Sequence, residues 1–423
     1  MTDREWMGAV LSAARPKAVA ALLRYFRDLD TAEEAFQEAS LRALRTWPVN
    51  GPPRDPAAWL VLVGRNSGLD RRRRQKHEAP LPAEDRLSDL SDRETPLAEA
   101  IDAADYRDDI LRLMFVCCHP ELPATQQIAL ALRIVSGLTV SEIARAFLVT
   151  EAAMEQRITR AKARIAKAAV AFDASGPAER AERVAAVAAM IYLVFNEGYT
   201  APGAGASDKT ALADEAIRLG RLLLQLYPSE PEIMGLLALL LLQHARAPAR
   251  FDAVGEAVLL ADQDRSLWRR PLIAEGLALV DKAVRHGRPG PYQVQAAIAA
   301  LHARAAHADE TDWQEIDLLY GALERMTPSP VITLNRAVAV SKAKGAAAAL
   351  ALIEPLGARL DGYFYFHGAR GNFLAQIGRK DEAREAFGRA IALAGSPAEA
   401  AHIRRELDKL SGGGRLMEAR EPG

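Results

Sequence analysis

Leu138-Thr139-Val140-Ser141-Glu142-Ile143-Ala144-Arg145-Ala146-Phe147 opens the most informative part of the chain. Thr139 is an N-cap candidate, and Ile143, Ala144 and Phe147 fall at the spacing of a short buried helix face. A tight break over 148–150 follows. Thr150 is the next cap candidate, and Glu151 stands where the positive end of a helix dipole favours an acid. The second helix turns Met154, Ile158, Ala161 and Ile165 inward and leaves Gln156, Arg157, Thr159, Arg160, Lys162, Arg164 and Lys167 on its outer faces. Two helices with this break and a basic second member predict a helix-turn-helix whose second helix lies in the major groove. Arg and Lys neutralise phosphates, while the forked donors of Gln156, Arg157 and Arg160 suit base edges. The same residues also allow an ordinary amphipathic hairpin with a solvated basic face.

Upstream, helical periodicity begins near Pro16, with Val19, Leu22, Leu23 and Phe26 on one buried face. A second helix over about Thr31 to Trp47 buries Ala35, Phe36, Ala39 and Leu44 and breaks in the Pro- and Gly-rich segment Trp47 to Pro56. Asp55-Pro56 caps and starts a third helix, which runs through Trp59, Asn66 and Asp70 to Arg71, Arg72, Arg73, Arg74 and Lys76. Cations suit a helix C-terminus. Four consecutive arginines exceed what capping requires, which favours phosphate binding.

Glu78 to Asp105 holds nine acidic residues against two arginines. With few large apolar groups it cannot fold alone and is expected to be a linker. Helical patterning resumes over Tyr106 to Phe172. From Ala178 to Leu410 the chain reads as helices of ~12–20 residues between Pro/Gly breaks, at Tyr199 to Gly203, Tyr227-Pro228, Arg288 to Pro291 and Pro328 to Pro330. Leu374, Ala383, Phe387, Ala390 and Pro397 have the spacing of a tetratricopeptide unit, with Leu212 to Pro228 and Leu334 to Pro355 as weaker versions. The expected architecture is all-α: two small helical domains (10–77 and 106–172, the second with the helix-turn-helix) joined by the acidic linker 78–105. A helical-repeat domain over 178–410 and a disordered tail over 411–423 complete it.

The chain has 423 residues, enough for two or three domains, and a formal net charge of −1 that names no partner because opposite blocks cancel. Its only cysteines, Cys117 and Cys118, are adjacent and form no disulfide framework. The N-terminus carries Asp3, Arg4 and Glu5 rather than a signal-peptide core. The longest apolar run, Ile233 to Leu242, is well short of the ~20 residues that span a bilayer. A cytoplasmic protein without a membrane partner is expected.

The motifs together resemble extracytoplasmic-function (ECF) sigma factors of RNA polymerase. Asp28-Leu29-Asp30-Thr31-Ala32-Glu33-Glu34-Ala35-Phe36-Gln37-Glu38-Ala39 is similar to their core-polymerase-binding helix, with Glu34 where many members have Asp. Ala58-Trp59-Leu60 through Asn66 and Leu69-Asp70-Arg71 resembles their −10 element helix, and the helix-turn-helix resembles their −35 reader. Phe195-Asn196-Glu197-Gly198-Tyr199, Asp262-Gln263-Asp264-Arg265-Ser266-Leu267-Trp268, Gly290-Pro291-Tyr292-Gln293 and Leu334-Asn335-Arg336-Ala337 are similar to signatures of one ECF group with a long helical-repeat extension. The resemblance covers nearly the whole chain. It implies that Asp30, Glu33, Glu34, Gln37 and Glu38 face the polymerase clamp, and that the 47–56 loop holds a flipped base. Trp59, Asn66, Asp70 and Arg71 to Arg74 would meet the −10 element. Thr150, Glu151, Gln156, Arg157, Thr159, Arg160, Lys162 and Arg164 would meet the −35 element. The implied partners are core polymerase and promoter DNA, with a regulatory protein on the extension.

In that extension Asn196, Glu197, Tyr199, Asp262, Asp264, Arg265, Trp268, Tyr292, Gln293, Asp312, Trp313, Asn335 and Arg336 form a polar and aromatic set. Two roles fit them: a partner-binding groove on a concave repeat surface, or helix caps and bridges between repeats. Glu197, Asp262 and Asp264 with His302 could be cast as an acid/base or metal site. No metal-ligand spacing recurs, however, and neither a phosphate loop nor a nucleophile motif is present. Cys117-Cys118-His119 lacks a second ligand pair. No enzyme, metal or cofactor is therefore expected. A DNA-binding regulator with a helical-repeat sensor domain is the rival reading. It shares the helix-turn-helix but needs neither the acidic second helix nor the basic third one.

Overall fold

A computed structural model describes residues 3–75, 103–147, 149–167, 177–199, 206–252, 258–395 and 397–412. Among these described residues every regular element is helical. Most of the acidic linker, the Leu148 position, the break at Thr200 to Gly203 and the tail from 413 lie outside them, while Ser411 and Gly412, expected in the tail, close the last helix. The chain divides into two compact units, one of residues 1–200 with 205–219, the other of residues 201–204 with 220–423.

The first unit opens with α1 (Asp3–Phe26). It starts earlier than the periodicity from Pro16 predicts, because Met7 and Ala14 extend the buried stripe of Ala18, Leu22 and Phe26 backwards at helical spacing. Pro16 sits inside the helix, a position that costs backbone hydrogen bonding and is retained here within a packed element. Only Arg27 and Asp28 separate α1 from α2 (Leu29–Asn50). Arg27 adopts φ +55° in this turn, and the Asp28 carboxylate caps α2 by accepting from the Thr31 N–H at 2.8 Å. α2 runs through Pro48 rather than breaking at Trp47. Its buried stripe is Ala32, Phe36, Ala39, Ala43 and Trp47, whereas Leu44, expected inside, is 44% exposed. One residue of helix is 100° of rotation, so the stripe that ends on Trp47 passes through 43 rather than 44. α3 (Pro56–Gln75) starts where predicted; the Asp55 carboxylate accepts from Ala57 and Ala58 N–H.

α4 (Ala103–Cys117) packs along α1. α5 (Ala124–Ala131) continues into a wide π-helical turn, Leu132–Ser136, which Gly137 ends at φ +78°. α6 (Val140–Ala146) and α7 (Glu151–Lys167) form the predicted pair. α8 (Pro177–Tyr199) also belongs to this unit, packing on α4 and α5 with Arg183 over the Phe115 ring at 5.7 Å. α9 (Ala206–Leu226) spans the division between the units.

The second unit is built around α10 (Pro231–Ala245). This helix holds the longest apolar run, and Ile233, Met234 and Leu236 to Leu242 are all buried. α11 (Arg270–Val284) and α12 (Pro291–Arg304) cover it. A helix that is apolar all round needs protein on every side. No helix of the described residues is long and apolar enough to cross a membrane. Helices α13 (Trp313–Met326), α14 (Pro330–Lys344), α15 (Ala346–Ile353) and the short α16 (Gly357–Leu360) follow. α17 (Phe364–Gln376), α18 (Lys380–Leu393) and α19 (Pro397–Gly412) end the array. The Pro-led starts of α10, α12 and α14 match the predicted breaks. Leu374, Ala383, Phe387 and Ala390 are buried between α17 and α18. A Cβ on Gly371 would stand 2.5 Å from the Phe387 ring, so α17 approaches α18 where a side chain is missing.

Candidate nucleic-acid and polymerase interface

Local chemistry positions the helix-turn-helix. Thr139 and Glu142 make a reciprocal capping box: the Thr139 hydroxyl accepts from the Glu142 N–H at 3.1 Å, and the Glu142 carboxylate accepts from the Thr139 N–H at 2.7 Å. The Thr150 hydroxyl caps α7 by accepting from the Ala153 N–H at 3.2 Å. Met154, Ile158, Ala161 and Ile165 are buried, as their spacing predicts. That orientation leaves Thr150, Glu151, Gln156, Thr159, Arg160 and Arg164 exposed and Arg157 half-buried at the edge of the same surface. Arg164 donates weakly to the Glu121 carbonyl at 3.5 Å. A helix presenting amide and guanidinium forks in successive turns, anchored by a capped partner helix, suits groove recognition.

Lys162 behaves differently from its neighbours. It lies beside Ala161 and one turn after Ile158, at the margin of the buried stripe, and its ammonium reaches α2. There it donates to Asp30 at 2.6 Å and to Glu33 at 2.9 Å. Burial works to lower its pKa, but the bond to Asp30 and the Glu33 charge outweigh that, and the net direction is up.

Glu33 is 4% exposed. Besides Lys162 it meets Arg15 at 3.3 Å and Arg133 at 3.1 Å. Arg15 also donates to the Ile134 carbonyl at 3.0 Å and the Arg133 carbonyl at 3.1 Å, at the end of the π-turn where orphan carbonyls attract a cation. Burial pulls the Arg15 guanidinium below its ordinary value, and the Glu33 charge opposes it. Gly137 leaves room for this side chain; a Cβ there would lie 2.6 Å from Arg15 Cδ. Neither Arg15 nor Arg133 stood out in the sequence. The one signal was a cation at 15 on the face that carries Ala14, Ala18 and Leu22.

The remaining α2 candidates face outward. Glu34, Gln37 and Glu38 are exposed, and so are Leu41 and Leu44 one and two turns later on that side. Acidic and amide groups interleaved with uncovered leucines suit a protein partner better than a solvated face. In α3, Trp59 is half-buried with its ring edge-on to Trp47 at 5.4 Å, and Asn66 is half-buried. The side chains of Asp70 and Arg71 to Arg74 lie outside the described residues, although the α3 backbone reaches Gln75.

The C-terminal set is not one cluster. Asn196, Glu197 and Tyr199 are on α8 in the first unit, and the others belong to the second. Most of the latter serve as caps and bridges. The Asp264 carboxylate accepts from the Ser266 N–H, and the Asp312 carboxylate caps α13 through the Glu315 N–H. Arg265 donates to the His302 and Ala305 carbonyls and lies over the buried Trp268 ring at 4.8 Å. Glu232 accepts from the Tyr292 N–H and Gln293 side chain at the start of α12. Arg336 joins Asp317 and Glu324 between α13 and α14. Asp262 and Asn335 are exposed. Among the described residues no three His, Cys, Asp or Glu side chains group as metal ligands. Burial raises both thiols, that of Cys118 to about 12.

A capped helix-turn-helix with a basic second helix, beside a three-helix domain whose second helix carries acidic residues on its exposed face, defines a class: transcription factors that bridge promoter DNA and RNA polymerase. The comparisons agree. Residues 11–78 match Sigma-70 region 2, residues 112–165 match Sigma-70, region 4, and residues 183–284 match a family of unknown function (DUF6596). The chain belongs to the sigma-70 family, as an ECF-like sigma factor with a C-terminal helical extension. It therefore has a sigma-factor role, binding core RNA polymerase and promoter DNA. An uncharacterized protein of Rhizobium meliloti (strain 1021) is 68% identical over 411 residues, covering 97% of each chain.

Proposed function

We propose that this chain selects promoters through two separate surfaces and that its extension regulates or supports that selection. In this reading residues 10–77 bind core polymerase through Asp30, Glu33, Glu34, Gln37 and Glu38, helped by Leu41 and Leu44. Trp59, Asn66, Asp70 and Arg71 to Arg74 meet the −10 element, and the 47–56 segment receives a flipped base. Residues 106–172 meet the −35 element with Thr150, Glu151, Gln156, Arg157, Thr159, Arg160 and Arg164. The linker 78–105 connects them. The carrying observation is the exposed amide and guanidinium row of α7, whose N-terminus Thr150 caps, beside α6 with its Thr139–Glu142 capping box. The half from 178 to 410 is a tetratricopeptide-like array whose role is to regulate, through a protein partner or directly, and the cytoplasm is its place of work.

Purified protein added to core polymerase is expected to give run-off transcription from its own promoter. Failure to bind core polymerase would sink the assignment. Removing the chain after Tyr199 tests the extension while keeping α8, which packs on α4 and α5. Unchanged activity and regulation in that variant would remove the proposed role of the extension.

A further inference from the structure

We infer that the second unit binds a small organic anion, whose phosphate or carboxylate group seats on the open edge of Arg265 beside Trp268 and Arg246. The site lies outside the promoter- and polymerase-facing residues and does not depend on their roles.

It falls where the chain between α10 and α11 is irregular. From Arg246 to Arg269 the helical pieces among the described residues are two short 3-10 turns, Ala247–Ala249 and Arg265–Leu267. Long connections of this kind are uncommon in a compact array and mostly serve function. The second turn is pinned to the end of α12, where Arg265 Nη1 donates to the His302 carbonyl at 2.5 Å and the Ala305 carbonyl at 2.6 Å. The same guanidinium lies over the Trp268 ring at 4.8 Å, and the His302 ring stands edge-on to Trp313 at 5.3 Å. Both carbonyl bonds leave from one nitrogen. The Nε–Nη2 edge, a fork that matches a carboxylate or phosphate, makes no hydrogen bond among the described residues.

Two further observations point to an anion. The first is charge. Arg246, at the end of α10, is close enough for its charge to act on both Arg265 and His302, lowering their pKa values, and Glu310 only partly opposes it at Arg265. The neighbouring Asp264 carboxylate is taken by the Ser266 N–H, and Arg265 makes no ion pair among the described residues. Two guanidiniums placed together in this way attract negative charge. The second is a pair of buried groups. Trp268 Nε1 and the Thr311 hydroxyl, on residues 3% and 6% exposed, have no hydrogen-bond partner among the described residues. Buried donors are nearly always satisfied by protein, water or a bound group. Trp268 lies under the Arg265 guanidinium, so an oxyanion on that guanidinium supplies the acceptor its indole N–H lacks. The half-buried Trp313 ring and the exposed Leu267 leave apolar surface for the organic body of the ligand.

The test follows the indole N–H signals of the five tryptophans in isotope-labelled full-length protein by proton–nitrogen correlation NMR, with Trp268→Phe assigning the signal of Trp268. Inorganic phosphate and succinate are titrated separately, against sodium chloride of equal ionic strength. The Trp268 signal is expected to move downfield and saturate as its N–H gains an acceptor, while those of Trp6, Trp47 and Trp59 stay in place. A response to phosphate alone makes the ligand a phosphate ester, and a response to succinate alone makes it a carboxylate. Arg265→Gln should weaken the response about tenfold and Arg246→Gln about threefold, each with unchanged helix content by circular dichroism. A Trp268 signal that ignores both anions, or moves equally with chloride, overturns the site. So does a folded Arg265→Gln protein that binds as tightly as the parent. If Arg265→Gln loses helix content because its carbonyl bonds are needed, Arg246→Gln decides by the same criterion.

Discussion

The Arg15 guanidinium lies 3.3 Å from the Glu33 carboxylate, and its remaining bonds end on the carbonyls of Ile134 and Arg133, more than a hundred residues away. One buried arginine therefore joins α1, α2 and the end of the π-turn. Charges buried this deeply are tolerated when they are paired and their donors are filled.

The ion pair between Glu33 and Arg133 should show as energetic coupling. Glu33→Gln, Arg133→Gln and the double variant, compared by urea unfolding, are expected to give an interaction energy of roughly 0.5–3 kcal/mol. Strictly additive effects would mean that the pair is not formed in solution.

Arg157→Ala and Arg160→Ala should each weaken promoter binding by about 1–3 kcal/mol if the guanidinium reads a base edge. The weakening should be confined to promoters with an intact −35 element, measured by DNA titration with the core-bound protein. An equal effect on a −35-scrambled duplex would reduce these arginines to phosphate binders.

In the extension, Gly371→Ala places a methyl group 2.5 Å from the Phe387 ring. Overpacking of this kind costs about 1–3 kcal/mol, so the unfolding midpoint of the C-terminal unit should fall. Adding Phe387→Leu should recover part of that stability. A neutral Gly371→Ala would show that α17 and α18 are less closely apposed.

His302, packed edge-on to Trp313, is held neutral: burial, with Arg246 and Arg265 nearby, lowers its pKa from 6.5 to about 4. Between those values the unfolded chain holds a proton that the folded chain rejects, so stability falls as pH drops through that window. The cost is on the order of 3 kcal/mol when the window is fully crossed. Thermal unfolding of His302→Asn from pH 7 to pH 4.5 should show a shallower decline than the parent; parallel curves would contradict the shift.

Some of this was legible in the chain because its causes are local. Thr139 and Glu142 cap α6 from three residues apart, and Met154, Ile158, Ala161 and Ile165 point one way because a helix repeats every 3.6 residues. The prolines that start α10, α12 and α14 act on their own backbone. Leu44 shows where this logic weakens: a helical stripe read one residue out of phase puts a leucine inside that the fold leaves in solvent.

What the sequence by itself determined is the inventory: all-helical units in order, a capped DNA-reading helix, an acidic helix and a Pro/Gly-punctuated extension. Only the tertiary structure decided what those faces touch. Glu33 and Lys162 are 129 residues apart, and no periodicity or capping rule relates them. Their meeting follows from α1 packing along α4 and the π-turn, which brings Arg15 and Arg133 onto one carboxylate. The expected polymerase-facing position at Glu33 is thereby occupied within the free chain. The same holds for Asp264, Arg265 and Arg336, whose types admit either a groove or a brace until the neighbouring helices supply their partners.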